Sequence, residues 1–411
     1  MIETGGPGTT GVGTSLRIAL VHARHAEQGG AETWLNQLAT ALVLAGHQPT
    51  IVCRRHAAAP HPDVEFARLR VRAPGNAARQ WAFARAVERH VAANRYDVVV
   101  GLGRTYSHDV IRCGGAMRKT YLQLQRQFFY RPWERLLGKG QLKGSVAMAL
   151  ERRMFAPGNF RRVLANSDLL KRDIIAVHGV EAKQVVVVHN GVDVERFHPQ
   201  RHADAAAALR REWQLADDDF LALFLGVGYA RKGVSMLLQA LPAVLEQRPN
   251  VRVVIVGSDR HAARWEQEAA QLGLGPGVGQ IVHFAGRRSD PEVCFAAADL
   301  HVLPTWYDSF AYTVLESLAS GVPVVTTGNA GAAELLLGRD DSRDEIGAVL
   351  PRRFEAAELS QVLQQWCDRD RVAACRVAAR AVAEENSVSI CMGKVVTLLE
   401  EVAREKIRQE S

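Results

Sequence analysis

The chain has 411 residues, 47% of them hydrophobic, enough for two ordinary cores because single cores stop growing well below this length. Its formal net charge of +7 admits anionic lipid, nucleic acid or phosphorylated glycan as partner without choosing among them. No apolar run reaches the roughly 20 residues of a membrane-spanning helix, the Gly/Thr-rich start lacks a signal pattern, and Cys53, Cys113, Cys294, Cys367, Cys375 and Cys391 lie scattered without a CxxC or His/Cys cluster, which speaks against a zinc site or disulfide framework and points to the cytosol.

In chain order, residues 1–14 are too polar and Gly-rich to pack and are expected to form a flexible tail. Residues Leu16 to His22 read as a buried parallel strand. A Gly-Gly loop at Gly29 and Gly30 follows. From Glu32 to Ala45 the apolar residues Trp34, Leu35, Leu38, Ala39, Leu42 and Val43 recur at helical spacing, and Gly46 closes that helix before a strand over Thr50 to Cys53. Further strands are expected at Asp97 to Val100, Arg162 to Ala165 and Val185 to His189, with a helix capped by Ser167 or Asp168. The rhythm begins afresh with strands at Phe220 to Leu225, Val251 to Val256, Ile281 to Phe284, Leu300 to Leu303 and Val322 to Thr326, and the stretch from Glu355 onward reads as helices. The resulting class is α/β, with two doubly wound parallel sheets that bind ligands beyond the carboxyl ends of their strands. The domains are expected over 15–200 and 201–375, with a helical tail over 376–411 that packs back on the first domain.

The carboxyl end of the Phe220 strand runs into Gly228-Tyr229-Ala230-Arg231-Lys232-Gly233. Two adjacent cations there suit a diphosphate, since Arg clamps phosphate oxygens through its fork and Lys adds a mobile point charge. A solvated basic turn is the competing reading. The segment Tyr307-Asp308-Ser309-Phe310-Ala311-Tyr312-Thr313-Val314-Leu315-Glu316 follows another strand and must turn into a helix near Ala311. Backbone N–H groups at that helix start point at an anion, and carboxylates before and within the helix accept from sugar and ribose hydroxyls. Alone, each acidic residue would read as an ordinary surface charge.

These pieces together resemble the family-4 retaining glycosyltransferases, enzymes of the GT-B fold with two facing Rossmann-like domains and an interdomain cleft. Asp308 to Glu316 is similar to the family's acidic-x7-Glu motif, and Gly29-Gly30-Ala31-Glu32 to its N-terminal Gly-Gly loop. His189-Asn190-Gly191-Val192-Asp193 with Phe197 is similar to N-G-V-D-x3-F, Arg231-Lys232-Gly233 to the diphosphate-binding R-K-G, and Val254-Ile255-Val256-Gly257 to a strand-Gly element. The resemblance implies that Arg231 and Lys232 hold the diphosphate, Glu316 the ribose and Asp308 the donor sugar. It also implies that the backbone from Ala311 to Leu315 cradles sugar and phosphate oxygens, and that Arg287 borders the base. Asp308 stands where Glu is commoner and Ala311 where Gly is commoner, which leaves the sugar and its pose open.

The segment Arg104 to Val110 is expected to line the cleft, with His108 and above all Asp109 donor-facing, by similarity to family-4 enzymes of lipopolysaccharide-core synthesis. Between Arg112 and Lys143, cations such as Arg118, Lys119, Arg126 and Arg131 interleave with Phe128, Phe129 and Trp133. That pattern suits the headgroup zone of an anionic membrane and resembles the membrane-facing insertion of the core glucosyltransferases. A half-buried helix with a solvated basic face is the alternative, and no recognition motif supports nucleic-acid binding.

The function this implies is transfer of a hexose from a nucleotide sugar, with UDP-hexose favoured, to a lipid-linked glycan such as lipopolysaccharide core. The enzyme would sit on the inner face of the inner membrane and use neither cofactor nor metal. Exopolysaccharide or other glycoconjugate synthesis and a nucleotide-sugar-binding protein without turnover are the alternatives. A dinucleotide-dependent oxidoreductase is disfavoured because neither first strand is followed by G-x-G-x-x-G.

Overall fold

The computed structural model describes residues 15–26, 29–128, 145–275, 280–337 and 345–410. The first domain is a parallel sheet of β1 (Arg17–Val21), β2 (Gln48–Cys53), β3 (Glu65–Arg68), β4 (Val98–Gly101), β5 (Val110–Cys113), β6 (Arg162–Ala165) and β7 (Val185–Val187), in the order β3-β2-β1-β4-β5-β6-β7. Its helices are α1 (Gly30–Leu44), α2 (Gly75–Ala93), α3 (Arg118–Phe128), α4 (Ser145–Met154) and α5 (Asp168–His178). Helices on both faces leave the strands no wet side, which is why β1 and β4 are near-continuous apolar runs. Helix α1 turns Trp34, Leu35, Leu38, Ala39 and Leu42 to the core. Helix α5 is capped as expected, Ser167 Oγ accepting from Leu170 N at 3.1 Å, and ends at left-handed Gly179.

The second domain repeats the plan with β8 (Phe220–Val227), β9 (Val251–Ser258), β10 (Val282–Gly286), β11 (Leu300–Leu303), β12 (Val324–Thr327) and β13 (Gly347–Leu350), ordered β10-β9-β8-β11-β12-β13. Its helices are α6 (Ala203–Glu212), α7 (Tyr229–Lys232), α8 (Val234–Gln247), α9 (Ala262–Gln271), α10 (Pro291–Ala297), α11 (Tyr312–Ala319), α12 (Ala356–Trp366) and α13 (Arg369–Glu384). Strand order reverses at β1/β4 in one sheet and at β8/β11 in the other, and these switch points open crevices at the carboxyl ends.

Three strands go beyond the sequence reading. Strands β3, β5 and β13 have four residues each, and β3 and β5 carry charges that break the apolar run. The second correction is the domain limit at 375/376, which falls inside α13. That helix is continuous, and Val372, Cys375, Ala379, Val382 and Ala383 all sit in the second domain's core. The crossing comes after it, where Val192 N donates to Asn386 O at 3.1 Å and Val388 N to Val192 O at 3.0 Å. A Cβ on Gly191 would lie 2.6 Å from Val388 Cα, so the glycine of the N-G-V-D segment is required by the close passage of two backbone segments. The last helix, α14 (Val388–Glu410), then buries Cys391, Val395, Leu399 and Val402 with α1 residues Leu35 and Leu38.

Candidate active site

The Arg-Lys pair is presented by α7, a single turn at the carboxyl end of β8 held between left-handed Gly228 (φ 79°) and Gly233 (φ 83°). At Gly233 a Cβ would lie 1.9 Å from Pro304 O, so α7 is pressed against the chain leaving β11. Thr305 Oγ1 and Trp306 N both donate to Arg231 O, at 3.2 and 2.9 Å. Arg231 and Lys232 thereby reach Asp308. The Asp308 Oδ2 atom accepts from Lys232 Nζ and, at 3.2 Å, from Arg231 Nη1, while Oδ1 accepts from Ala311 N at 2.8 Å and Phe310 N at 3.1 Å. Burial alone pushes the Asp308 pKa up, but Lys232, Arg231 and these hydrogen bonds outweigh it and hold the carboxyl well below the usual carboxylate range. Burial pushes Lys232 down, opposed by Asp308.

The bend between Asp308 and α11 uses Ala311 at φ 68°, one of two non-glycine residues with positive φ among the described residues. A side chain in the left-handed region carries strain that glycine avoids, so the departure from the family's usual glycine has a visible backbone consequence. Phe310, Val314 and Leu315 are core residues, leaving only their backbone for a ligand. Tyr312 and Thr313 stay at the surface of the cleft, and Thr313 Oγ1 is buried without a partner among the described residues. Glu316 lies one turn farther in and is half-buried. Its pKa is pushed up to about 7 by burial, partly opposed by Arg196 and reinforced by Glu292.

The facing wall comes from the first domain. A cleft of about 420 Å³ is lined by Gly30, Ala31, Arg112, Asn166 and Asn190 on that side and by Arg231, Lys232 and Asp308 to Thr313 on the other. The domains are latched across it. Ser309 Oγ donates to Gly114 O at 2.9 Å, Ser167 Oγ to Ser309 O at 2.6 Å, and Tyr312 Oη to Gly30 O at 3.4 Å. Gly29 caps α1 at φ 129°, a backbone conformation that favours glycine.

Arg112 is the residue the sequence reading misplaced. Counted with the basic run, it belongs to β5, is 8% exposed, holds its guanidinium 4.6 Å over the Trp34 ring and donates from Nη2 to Asn190 Oδ1 at 2.9 Å. Burial lowers its pKa, opposed by Tyr312 and Cys113, and among the described residues no carboxylate pairs with it. A clue existed in the chain: Arg112 stands between Ile111 and Cys113 in a β-branched stretch, where a cation is out of place unless it serves a site.

Asp109 is corrected outright. It directly precedes β5 and so lies at the amino edge of a parallel sheet, opposite the cleft. There Val99 N donates to its Oδ2 at 2.9 Å, Lys406 Nζ to the same atom at 3.2 Å, and Arg161 pairs with Oδ1 at 3.6 Å. It fastens α14 to the sheet. His108 does not line this cleft: it is 8% exposed, its ring packs under Gly101, and burial lowers its pKa to about 4. Arg287 is exposed just past β10, at the correct sheet edge but outside the cleft lining. Of the expected membrane face, Arg118 and Lys119 open α3, where Lys119 and Tyr121 are exposed and Arg118 N donates to Glu151 Oε1 at 2.9 Å. The side chains of Arg126 and Phe128, together with Phe129, Arg131 and Trp133, lie outside the described residues.

Two family profiles match the chain, one after the other. The one described as Glycosyltransferase Family 4 matches residues 28–196 and the one described as Glycosyl transferases group 1 matches residues 219–367, one on each domain. The chain belongs to the family-4 glycosyltransferases. Among its relatives, lipopolysaccharide glucosyltransferase WaaG of Escherichia coli K12 is 23% identical over 338 residues, covering 82% of this chain and 86% of that one. D-inositol 3-phosphate glycosyltransferase of Nocardioides is 31% identical over 225 residues, and this match spans about half the relative's length, 48%. The crystal structure of WaaG superposes with a TM-score of 0.75 at 22% identity, covering 93% of this chain and 99% of that one. Anabaena Alr3699/HepE in complex with UDP-glucose gives 0.67 at 19% identity over 94% and 100%. The fold of this family-4 enzyme is therefore GT-B.

Proposed function

We propose that this glycosyltransferase is a retaining hexosyltransferase that takes its sugar from a nucleoside diphosphate donor, UDP-hexose in the first place, and passes it to a lipid-linked glycan. The observation that carries the donor reading is the charge of the cleft. Arg112, Arg231 and Lys232 line it with one carboxylate, Asp308, among its lining residues. A buried cation without a counter-ion is unfavourable in the empty site and favourable once an anion arrives. A diphosphate supplies that anion. Structures of the same fold hold UDP and UDP-glucose.

In the reaction the C1–O bond to the diphosphate breaks while the acceptor oxygen bonds C1 from the same face. The departing phosphate oxygen takes the acceptor's proton, so no strong protein base is needed and configuration is retained. Arg231, Lys232 and Arg112 neutralise the charge that grows on the leaving group. Asp308 positions the two cations beside the sugar, and Glu316 accepts from ribose hydroxyls.

Similarity to WaaG over most of both chains supports a lipopolysaccharide-core acceptor. The exposed Lys119 and Tyr121 of α3 suit a peripheral seat on anionic lipid at the cytoplasmic side. Among the described residues no helix is long and apolar enough to cross a membrane. Flotation with anionic and neutral vesicles tests that seat, and equal binding to both removes it. For the donor, a panel of nucleotide sugars is titrated and followed for slow hydrolysis. A UDP-hexose is expected to bind and turn over, and Arg231→Ala/Lys232→Ala to abolish turnover with the fold intact. Binding without hydrolysis or transfer would favour a non-catalytic binding protein, and no binding would refute the donor reading.

A further inference from the structure

A second cavity, of about 230 Å³, opens at the carboxyl ends of β1, β2 and β4, entirely within the first domain. Its charged walls are Arg54 after β2, Arg79 on α2 and Arg104 after β4, and no Asp or Glu is among its lining residues. Arg104 has a carboxylate at a distance, Glu151 Oε2 3.8 Å from its Nε. Arg79 spends its Nε on Gly75 O at 3.2 Å, which leaves the two terminal nitrogens of its fork to other partners. Among the described residues no carboxylate lies within ion-pair distance of Arg54 or Arg79. On the floor, Thr105 is 1% exposed and its Oγ1 has no partner among the described residues. Three guanidinium groups around one concavity repel one another until an anion enters, and planar forks match the oxygen pairs of phosphate and carboxylate.

This cavity adjoins the donor cleft. His22 lines it and approaches Glu32 through Nε2 at 3.8 Å, and Glu32 belongs to the first turn of α1, whose Gly30 and Ala31 line the cleft. The volume lies below the roughly 300–1,000 Å³ of drug-sized sites, on the scale of a single sugar ring.

We propose that this cavity is the acceptor subsite and that it selects an acidic sugar, one bearing a phosphate or carboxylate held by Arg54, Arg79 and Arg104, with a free hydroxyl directed past His22 toward the donor. The inference rests on the glycosyltransferase reading and adds the chemical class of the acceptor to it. The relatives named for D-inositol 3-phosphate work on a phosphorylated polyol.

The test is a titration of the full chain, with and without saturating UDP, with glucose 6-phosphate, glucuronate and glucose at fixed ionic strength. At least ten-fold tighter binding of an acidic sugar than of glucose is expected, and the phosphate and carboxylate arms identify the acidic group. Arg54→Gln/Arg79→Gln should erase that preference while UDP affinity stays unchanged, and Arg54→Lys/Arg79→Lys should restore part of it. Equal binding of all three sugars, or a preference that survives the Gln pair, overturns the proposal. A chain that fails to bind UDP refutes the donor reading instead, and the sugar comparison made without UDP still decides this one.

Discussion

Replacing Asp308 by Asn separates two roles for its carboxylate, one holding the cations and one facing the ligand. In the wild type its side chain is 17% exposed and that of Lys232 8%, so their pair is largely buried, whereas Arg231 at 37% is partly in water. Asn keeps one oxygen, enough for the N–H groups of Phe310 and Ala311, but turns an amide donor or a neutral oxygen toward the Lys232 ammonium. Removing one partner of a buried pair destabilises by roughly 3–5 kcal/mol. Because the screened Arg231 contact adds little and the backbone bonds survive, the expected loss is about 3 kcal/mol.

The sign with pH follows from the depressed pKa of Asp308. Its stabilisation is complete above the unfolded value of about 3.9 and is lost as pH falls below that value toward the folded one. Urea midpoints of wild type and Asp308→Asn should therefore differ by a constant amount between pH 5 and 8 and converge in acid. The same variant, its two cations freed of their carboxylate, should bind UDP at least as tightly as the wild type while losing affinity for the UDP-sugar. A destabilisation below about 1 kcal/mol together with a ten-fold loss of UDP affinity would show that Asp308 faces the ligand rather than the cations, and would refute its role in holding Lys232 and Arg231.

Three further outcomes follow from the cleft. Arg112→Met, which replaces an unpaired buried cation by a side chain of similar length, should leave thermal stability unchanged or higher while UDP affinity falls about ten- to a hundred-fold by calorimetry, the range of a charge-assisted hydrogen bond. Glu316→Gln should weaken UDP and UDP-sugar alike; because the raised pKa of Glu316 makes the ionised form a burden that grows from about pH 4.5 to its folded value of about 7, the variant should also gain on the order of 2 kcal/mol in stability at pH 8 and nothing at pH 4. Ala311→Gly should relieve the positive φ at that bend and raise stability by about 1 kcal/mol, seen as a higher urea midpoint.

The chain's own pattern was enough for both doubly wound domains, for the Arg-Lys pair at the end of β8 and for the acidic loop before α11, because each depends on residues close together in sequence. An apolar run bounded by glycine is a buried parallel strand wherever it occurs, and cations or carboxylates just beyond its end fall at the ligand edge. The partners of those residues were not legible in this way. Asp109 and Arg112 are three residues apart, yet one directly precedes a parallel strand and the other sits inside it, so the first is carried to the far edge of the sheet and pairs with Lys406 while the second reaches the cleft beside Asn190. Short charged strands such as β5 carry no periodic signal, and a loop that must return before a parallel strand does not announce where it turns. Asp308 likewise read as a ligand group from its neighbours in sequence, and only the packing of α7 against the Pro304 carbonyl brings Lys232 and Arg231 onto it. Local sequence specifies which elements form, whereas the pairing of charges across two sheet edges is decided by the tertiary fold, since Coulomb attraction depends on distance in space and not along the chain.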